Sequence, residues 1–167
     1  LPRGGYRLVT VHRAAATDTP EALAALVDVL AAIPGPAVFP VHPRTRAKLE
    51  EAGLWDRATA LPNIRLIPPV GYLDFTALLV GAAAVVTDSG GVQKEAFFHR
   101  VPCVTLRDTT EWTETVTHGV NTLTGMNAQK VAETLANARF PEGVPDLYGD
   151  GHAADRIAEE VVRFIAG

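Results

Sequence analysis

Residues 85–96 combine an apolar strand, a glycine turn and the start of a helix. They read Val-Val-Thr-Asp-Ser-Gly-Gly-Val-Gln-Lys-Glu-Ala, with the adjacent glycines at Gly90 and Gly91. A glycine has no Cβ and so lets a ligand approach the backbone, while the free N–H groups and the dipole of a helix N-terminus favour an anion. The segment therefore predicts a phosphate-binding turn. An ordinary strand-to-helix turn is the alternative.

A carboxylate follows this turn on the same side of the predicted helix. Glu95 lies four residues after Gly91, about one helical turn further on. In dinucleotide-binding folds an acidic residue accepts hydrogen bonds from ribose hydroxyls. A phosphate turn followed by Glu95 therefore predicts a nucleotide site, and the alternative is an exposed helix carboxylate without a ligand.

Polar and titratable residues also follow the other predicted strands. His12 ends the first strand, His42 the second and Asp88 the fourth, and Arg107 follows the fifth. Because parallel sheets bind ligands at the carboxyl ends of their strands, these groups are expected on one rim of the sheet. A lone histidine is usually structural, but several polar strand ends on one rim favour a binding site.

Strand-like and helix-like segments alternate along the whole chain. The predicted strands are 6–12, 37–42, 64–67, 84–88, 101–106 and 121–124. The predicted helices are 19–33, 44–52, 72–81, 91–99, 111–118, 128–138 and 153–165, with a Pro- and Gly-rich crossing at 140–151. Apolar strands separated by helices predict an α/β fold, a Rossmann-like parallel sheet with helices on both faces. Pro40 removes a ladder donor, so the second strand is expected to be short, bulged or locally unpaired.

Composition indicates one globular domain. The 167 residues are 47% hydrophobic and 20% charged, which is enough apolar material for one core. A formal net charge of −4 argues against a nucleic-acid partner or an anionic membrane surface, so a phosphate must be held by local donors. The single cysteine, Cys103, forms no internal disulfide, and a reducing, cytoplasmic location is expected. His12 and His42 lack matched ligand spacing, so neither a metal site nor a cofactor is predicted.

Several motifs resemble, in order and spacing, those of the non-hydrolysing UDP-N-acetylglucosamine 2-epimerase family. They are 8–13 (Leu-Val-Thr-Val-His-Arg), 39–43 (Phe-Pro-Val-His-Pro), 87–96, 101–104 (Val-Pro-Cys-Val), 106–111 (Leu-Arg-Asp-Thr-Thr-Glu) and 148–151 (Tyr-Gly-Asp-Gly). The resemblance covers nearly the whole chain but only the C-terminal half of the family's enzymes, which have two Rossmann domains in the GT-B arrangement. It implies that residues 1–167 are a single UDP-binding domain without its N-terminal Rossmann half. The start, Leu1-Pro2-Arg3, is also unlike a natural N-terminus.

The resemblance implies a role for each matched position. The UDP-binding positions are Ser89, Gly90, Gly91, Glu95 and Phe75, the last with a core aromatic as its alternative reading. The positions that contact a nucleotide-sugar or an allosteric ligand are Arg13, His42 and Arg107. His12 matches an active-site histidine.

Family enzymes eliminate UDP from C1 of the sugar while C2 loses its proton, and then return both with C2 inverted. The resemblance implies that this half stabilises the leaving UDP electrostatically. The family's proton-transfer carboxylates lie in the other half, so the chain alone is expected to be inactive. The expected parent is a cytoplasmic isomerase, homodimeric, that acts on UDP-sugars for cell-envelope polysaccharides.

Three departures from the family pattern leave alternatives open. Trp112 replaces the second Arg of Arg-Asp-Thr-Thr-Glu-Arg-Pro-Glu, which resembles relatives acting on UDP-diacetamido-glucuronic acid. The pattern His-Arg-x-Glu-Asn ends here in Ala15 and Ala16, and Val70 stands where some relatives have Gln. The alternatives are an epimerase for that acidic sugar, the donor half of a UDP-sugar glycosyltransferase, and a non-catalytic nucleotide-sugar-binding module.

Overall fold

The computed structural model describes residues 2–166, so Leu1, part of the atypical start, lies outside it. Within this range one six-stranded sheet has the order β3-β2-β1-β4-β5-β6, and every neighbouring pair is parallel. The strands are β1 (Arg7–Thr10), β2 (Ala37–Pro40), β3 (Ile64–Ile67), β4 (Ala84–Thr87), β5 (Cys103–Thr105) and β6 (Asn121–Leu123). This is the strand order of a Rossmann fold, and the predicted fold class is confirmed.

Four of the helices begin at a residue whose side chain caps the first turn. The helices are α1 (Ala14–Thr17), α2 (Pro20–Ala32), α3 (Pro43–Glu51), α4 (Trp55–Thr59), α5 (Tyr72–Gly81), α6 (Gly90–Phe98), α7 (Thr113–Thr117), α8 (Ala128–Ala136) and α9 (Ala153–Ala166). At the start of α2 the Thr19 side chain accepts from the Ala22 N–H, and Pro20 occupies the first helical position, where its missing N–H costs nothing. The Asn127 side chain caps α8 in the same way.

Helices cover both faces of the sheet because consecutive strand residues point in opposite directions. Val9, Val86 and Val104 belong to one core cluster, together with side chains of α2 and α8. Their neighbours Leu8, Val85 and Cys103 belong to a second cluster, together with side chains of α5 and α6. Both sides of the central strands are therefore buried, which explains their continuous apolar sequence.

Pro40 has the effect on β2 that its missing N–H predicts. The pairing of β2 with β1 includes only Ala37 and Val38. On its other side β2 pairs with β3 through Pro40 itself. The strand is thus short and unpaired toward β1 near its end.

The structure differs from the predicted elements in a few places. Helix α7 begins at Thr113 and not at 111, because Trp112 has a non-helical backbone and is fixed by other contacts. The short helices α1 and α4 were not predicted, since four or five residues carry too little periodicity to be recognised. The predicted strand 6–12 shortens to Arg7–Thr10, because its ends bend into loops.

Helix α9 is separate from both core clusters. It has an apolar stripe along an otherwise charged helix, but none of its described residues is buried. Ile157, Val161, Phe164 and Ile165 are among the exposed large apolar residues of the chain. The fold of the sheet therefore gains nothing measurable from burial of α9.

Two features are absent from residues 2–166. No helix there is long and apolar enough to cross a membrane. Nor do three or more His, Cys, Asp or Glu side chains of this range form a group suited to a metal ion.

The contrast between the core and α9 gives a first prediction. Phe39 is 0% exposed and lies in the larger cluster, so Phe39→Ala is expected to lower the free energy of unfolding by about 3–5 kcal/mol. Phe164 is 87% exposed, and Phe164→Ala is expected to change it by less than about 0.5 kcal/mol. Urea denaturation of both variants checks this, and a large loss for Phe164→Ala would contradict the assignment of α9.

Candidate functional site

The candidate site lies where the chain reverses the order in which it adds strands. Strands β1 and β4 are neighbours at the centre of the sheet, and their chain connections lead away to opposite sides. A crevice forms outside the carboxyl ends of such a pair of strands, and ligands of open α/β sheets bind there. His12 follows β1, and Asp88 follows β4.

Asp88 joins these two strand ends. Its side chain is 1% exposed, and Oδ2 accepts hydrogen bonds from the backbone N–H of His12 at 3.0 Å and of Arg13 at 2.7 Å. A buried carboxylate needs such donors, because an unpaired buried charge is strongly unfavourable. Asp88 thereby fixes the backbone on which His12 and Arg13 stand.

The same carboxylate faces the His12 ring. Nδ1 of His12 lies 3.6 Å from Asp88 Oδ1, and 40% of the histidine side chain is exposed. A carboxylate beside one imidazole nitrogen helps to orient the ring. The sequence placed Asp88 at the rim but did not predict this role. Its position at the end of β4, one residue before the turn, was the available signal.

His42 lies beside His12. The two ring centroids are 5.5 Å apart, and Nδ1 of His42 accepts from the Arg44 N–H at the start of α3. The Thr45 hydroxyl donates to the Val11 carbonyl at 2.6 Å in a buried position, which holds α3 against the end of β1. The second histidine is therefore both a helix cap and part of the rim, as its position after β2 predicted.

The glycine turn leaves backbone donors free at the start of α6. Ser89 is the N-cap, and its hydroxyl is 3.5 Å from the Val92 N–H. Among residues 2–166 the N–H groups of Gly90 and Gly91 have no acceptor. A Cβ at Gly91 would meet only Ser89 Oγ at 3.8 Å, so the backbone there is open. This is the arrangement that binds an anion.

The residues after β5 fold over this helix start. Glu111 Oε2 is 3.0 Å from Arg107 Nη1, and Glu111 Oε1 is 3.8 Å from Arg13 Nη2. A Cβ at Gly90 would collide with the Glu111 carboxylate. Gly90 is therefore required for the packing of Glu111, a close approach within the chain that the sequence did not reveal.

Trp112 fixes the same loop to α6 and to the segment that precedes α9. Its indole N–H donates to the Gly90 carbonyl at 2.8 Å. Lys94 Nζ lies 4.4 Å from the ring centroids of both Trp112 and Tyr148, which is within the range of cation–π attraction. Trp112 thus places a packed aromatic ring next to the glycine turn.

A buried network of polar side chains holds the loop after β5 in place. Gln93, on the second turn of α6, accepts at Oε1 from the Thr110 hydroxyl at 2.6 Å and from Asn121 Nδ2 at 3.0 Å. Asn121 in turn accepts from the Thr105 hydroxyl at 2.7 Å. These bonds connect α6, the loop after β5 and strand β6. Sequence reasoning missed them because the partners are distant along the chain.

Two of the predicted UDP contacts lie further from this cluster. Glu95 is half-buried on α6, and its carboxylate makes no hydrogen bond or ion pair within residues 2–166. Phe75 on α5 is partly buried and packs against the cluster that contains Leu79 and Val85. Phe75 thus packs as a core aromatic within the chain, and its contact with UDP stays a prediction.

A cavity of about 300 Å³ opens beside the arginines. Its lining includes Arg13, Ala15, Ala16, Asp88, Arg107 and Asp108. Part of the wall is thus formed by the two alanines that depart from the family pattern. The cavity adjoins the rim, and charged side chains form part of its lining.

Cys103 has no chemical role at this rim. Its side chain is buried within β5, and burial raises the pKa of the thiol to about 12. It therefore stays a neutral, packed side chain near neutral pH.

The fold and the site define a Rossmann-type α/β domain whose polar groups gather at the topological switch point. Residues 1–162 match the family described as UDP-N-acetylglucosamine 2-epimerase. The chain belongs to this family, and the resemblance carried by its motifs is confirmed.

The relatives show how much of such a protein is present. A UDP-N-acetylglucosamine 2-epimerase homolog of Methanococcus maripaludis is 44% identical over 155 residues, 92% of this chain and 43% of that protein. The UDP-2,3-diacetamido-2,3-dideoxy-D-glucuronate 2-epimerase of Pseudomonas aeruginosa is 44% identical over 165 residues, 95% and 45% of the respective chains. The chain therefore spans less than half the length of these relatives.

A solved structure gives the same proportion. Methanocaldococcus jannaschii UDP-GlcNAc 2-epimerase, in complex with UDP-GlcNAc and UDP, matches with a TM-score of 0.85 and 37% identity. The match covers 95% of this chain and 45% of that one. The expected likeness to one half of a GT-B enzyme is confirmed.

Asp88 provides the prediction from this site. Asp88→Asn removes the charge and one acceptor oxygen from a buried group that accepts two backbone N–H bonds. The free energy of unfolding is expected to fall by about 1.5–3 kcal/mol. The exposed Asp146 is the control, and Asp146→Asn should have almost no effect. Thermal melts of the two variants decide, and equal melting temperatures would show that Asp88 does not hold the strand ends.

Proposed function

We propose that this chain is the UDP-binding half of a non-hydrolysing UDP-N-acetylglucosamine 2-epimerase. The observation that supports this proposal most directly is the pair of unsatisfied N–H groups at Gly90 and Gly91, at the start of α6 beside the switch point. Arg13 and Arg107 lie next to that helix start through their contacts with Glu111. Free donors and two guanidinium groups together suit a diphosphate.

Each part of the nucleotide then has its own contact. Ser89, Gly90 and Gly91 bind the diphosphate. Glu95 accepts from the ribose hydroxyls, which its lack of an intramolecular partner among residues 2–166 supports. Phe75 lines the uracil pocket with the exposed part of its ring.

The proposed reaction of the full-length protein converts UDP-GlcNAc into UDP-ManNAc. The bond from C1 to the UDP oxygen breaks, and the proton on C2 leaves to a base, which gives a glycal and free UDP. UDP then adds back to C1, while C2 receives a proton on the opposite face. His12, Arg13 and the start of α6 stabilise the negative charge on the departing UDP.

This chain alone is proposed to be inactive. Inversion at C2 requires groups that remove and return a proton on two faces of the sugar. His12, held at one rim beside Asp88, serves at most one of them. The other groups are proposed to come from an N-terminal Rossmann half, which closes the cleft over the rim.

The sugar has a second candidate. The Pseudomonas aeruginosa relative, named for an acidic diacetamido sugar, is as similar to this chain as the Methanococcus maripaludis homolog. An epimerase for that UDP-sugar is the alternative substrate assignment. A glycosyltransferase half would need an acceptor, and a binding module would give no product. Incubation of the full-length protein with each UDP-sugar, without an acceptor, distinguishes these cases.

The proposed setting follows from the substrate class. We place the full-length enzyme in the cytoplasm as a homodimer that supplies UDP-sugars for cell-envelope polysaccharides. The lone Cys103 is compatible with a reducing compartment. The partners are UDP and a UDP-sugar.

Glu95 tests the ribose contact. Glu95→Gln keeps the shape of the side chain but removes the charge that strengthens the two acceptor bonds. The affinity of the chain for UDP is expected to fall by about 1.5–3 kcal/mol, with an unchanged melting temperature. Calorimetric titration measures this, and Glu159→Gln on the exposed helix α9 is the control. Unchanged UDP affinity would remove Glu95 from the site.

Gly91 tests the phosphate contact separately. A methyl group fits there without a clash in the free chain, and alanine is favoured over glycine in a helix by about 0.5–1 kcal/mol. Gly91→Ala is therefore expected to keep or raise stability while UDP binding weakens at least about tenfold, since the methyl group blocks approach to the free N–H groups. Titrations with UDP and with uridine check this. Equal UDP affinity in both proteins would place the phosphates elsewhere.

A further inference from the structure

The Glu111 carboxylate lies where the positive features of the proposed diphosphate site converge. Arg107 Nη1 is 3.0 Å from one of its oxygens, and Arg13 Nη2 is 3.8 Å from the other. The carboxylate also occupies the space in which a Gly90 Cβ would stand, at the first residue of α6. A helix start attracts anions, so two guanidinium groups and one helix terminus share a single negative charge.

This carboxylate stays ionised near neutral pH. A hydrogen bond from its own backbone N–H lowers the pKa of Glu111, and the Arg107 and Arg13 charges lower it further. The Coulomb attraction is screened in part, because 43% of the side chain is exposed. Glu111 is thus a fixed anion, held at the rim by charge.

The contacts of Glu111 neutralise positive charge at the rim, but they leave nearby hydrogen-bond donors without acceptors. Within residues 2–166 the N–H groups of Gly90 and Gly91 have no acceptor, although the carboxylate lies against Gly90. The buried Nη1 of Arg107 is near the carboxylate but forms no hydrogen bond. A diphosphate has more oxygens and more charge than a carboxylate, and would supply the acceptors that Glu111 does not.

We propose that Glu111 is an internal anion that competes with the diphosphate of the nucleotide for Arg13, Arg107 and the start of α6. The inference rests on the proposed function. In the free chain Glu111 keeps both arginines near the rim and neutralises part of their charge. Binding of UDP then requires the carboxylate to turn away into solvent, so only an anion of higher charge displaces it efficiently.

The surrounding structure allows that movement with little disturbance. The backbone on both sides of Glu111 is fixed, by the Thr110 hydroxyl on Gln93 and by the Trp112 indole on the Gly90 carbonyl. Glu111 itself makes its long-range contacts through its side-chain tip. The side chain can therefore rotate outward while the loop stays in place.

The test compares three versions of the 167-residue chain: the original, Glu111→Gln, and Glu114→Gln as a matched control. Glu114 is three residues further on and carries the same charge, but it contacts neither arginine. Binding of UDP, inorganic pyrophosphate and uridine is measured by calorimetry at low salt and at 1 M salt. Thermal melts confirm folding, and Glu111→Ser serves as a second variant of the same position.

The expected result is about tenfold tighter binding of UDP and pyrophosphate by Glu111→Gln at low salt. The gain should be nearly lost at 1 M salt, where the Debye length is about 3 Å. Uridine affinity should not change, and Glu114→Gln should stay within about twofold of the original chain. UDP binding by the original chain with no gain in either Glu111 variant would overturn the inference alone. A chain that binds UDP in none of its versions would overturn the proposed function as well.

Discussion

The candidate site depends on one buried carboxylate that joins two strand ends. Asp88 follows β4, and the backbone N–H groups that it accepts from belong to the residues after β1. The backbone hydrogen bonds of a parallel sheet fix its strands relative to one another, but they do not fix the loops that follow the strands. The hydrogen bonds to Asp88 fix the loop after β1 relative to the loop after β4. His12 and Arg13 consequently have defined positions before any ligand arrives, which reduces the ordering that a ligand must impose.

The charge at the rim is balanced locally. The chain is acidic overall, yet Arg13 and Arg107 stand together beside a helix start. Positive groups placed so close repel one another unless an anion lies between them, and Glu111 fills that place. The buried network around Gln93 then keeps the loop at a fixed distance from α6. Because these hydrogen bonds join uncharged side chains, the position of the loop does not depend on the charge of the anion beside it.

Much of the fold was predictable because its signals are local. Apolar strands, Thr19 before Pro20 and the glycine turn at Gly90 each act within a few residues, and each predicted element formed near its expected place. The strand order, and with it the switch point between β1 and β4, came from the structure and not from the sequence. The roles of Asp88, Glu111 and Gln93 were not predictable, because each contacts a residue far away in the chain. Asp88 is 76 positions from His12, Glu111 is 98 from Arg13, and Gln93 is 17 from Thr110. No periodicity or motif spacing encodes which distant loop meets which helix start.

The isolation of α9 has a consequence for how the chain unfolds. This helix has 14 residues, none of which is buried within the described range 2–166, and helices of that length are marginal in water by themselves. Its ion pairs lie within the segment from Asp150 onward, so they do not couple it to the sheet. The backbone amides of α9 should therefore exchange with solvent through local opening, independently of the amides of β1 and β4. The chain then contains two cooperative units of very different stability, and a single melting temperature describes only the larger one.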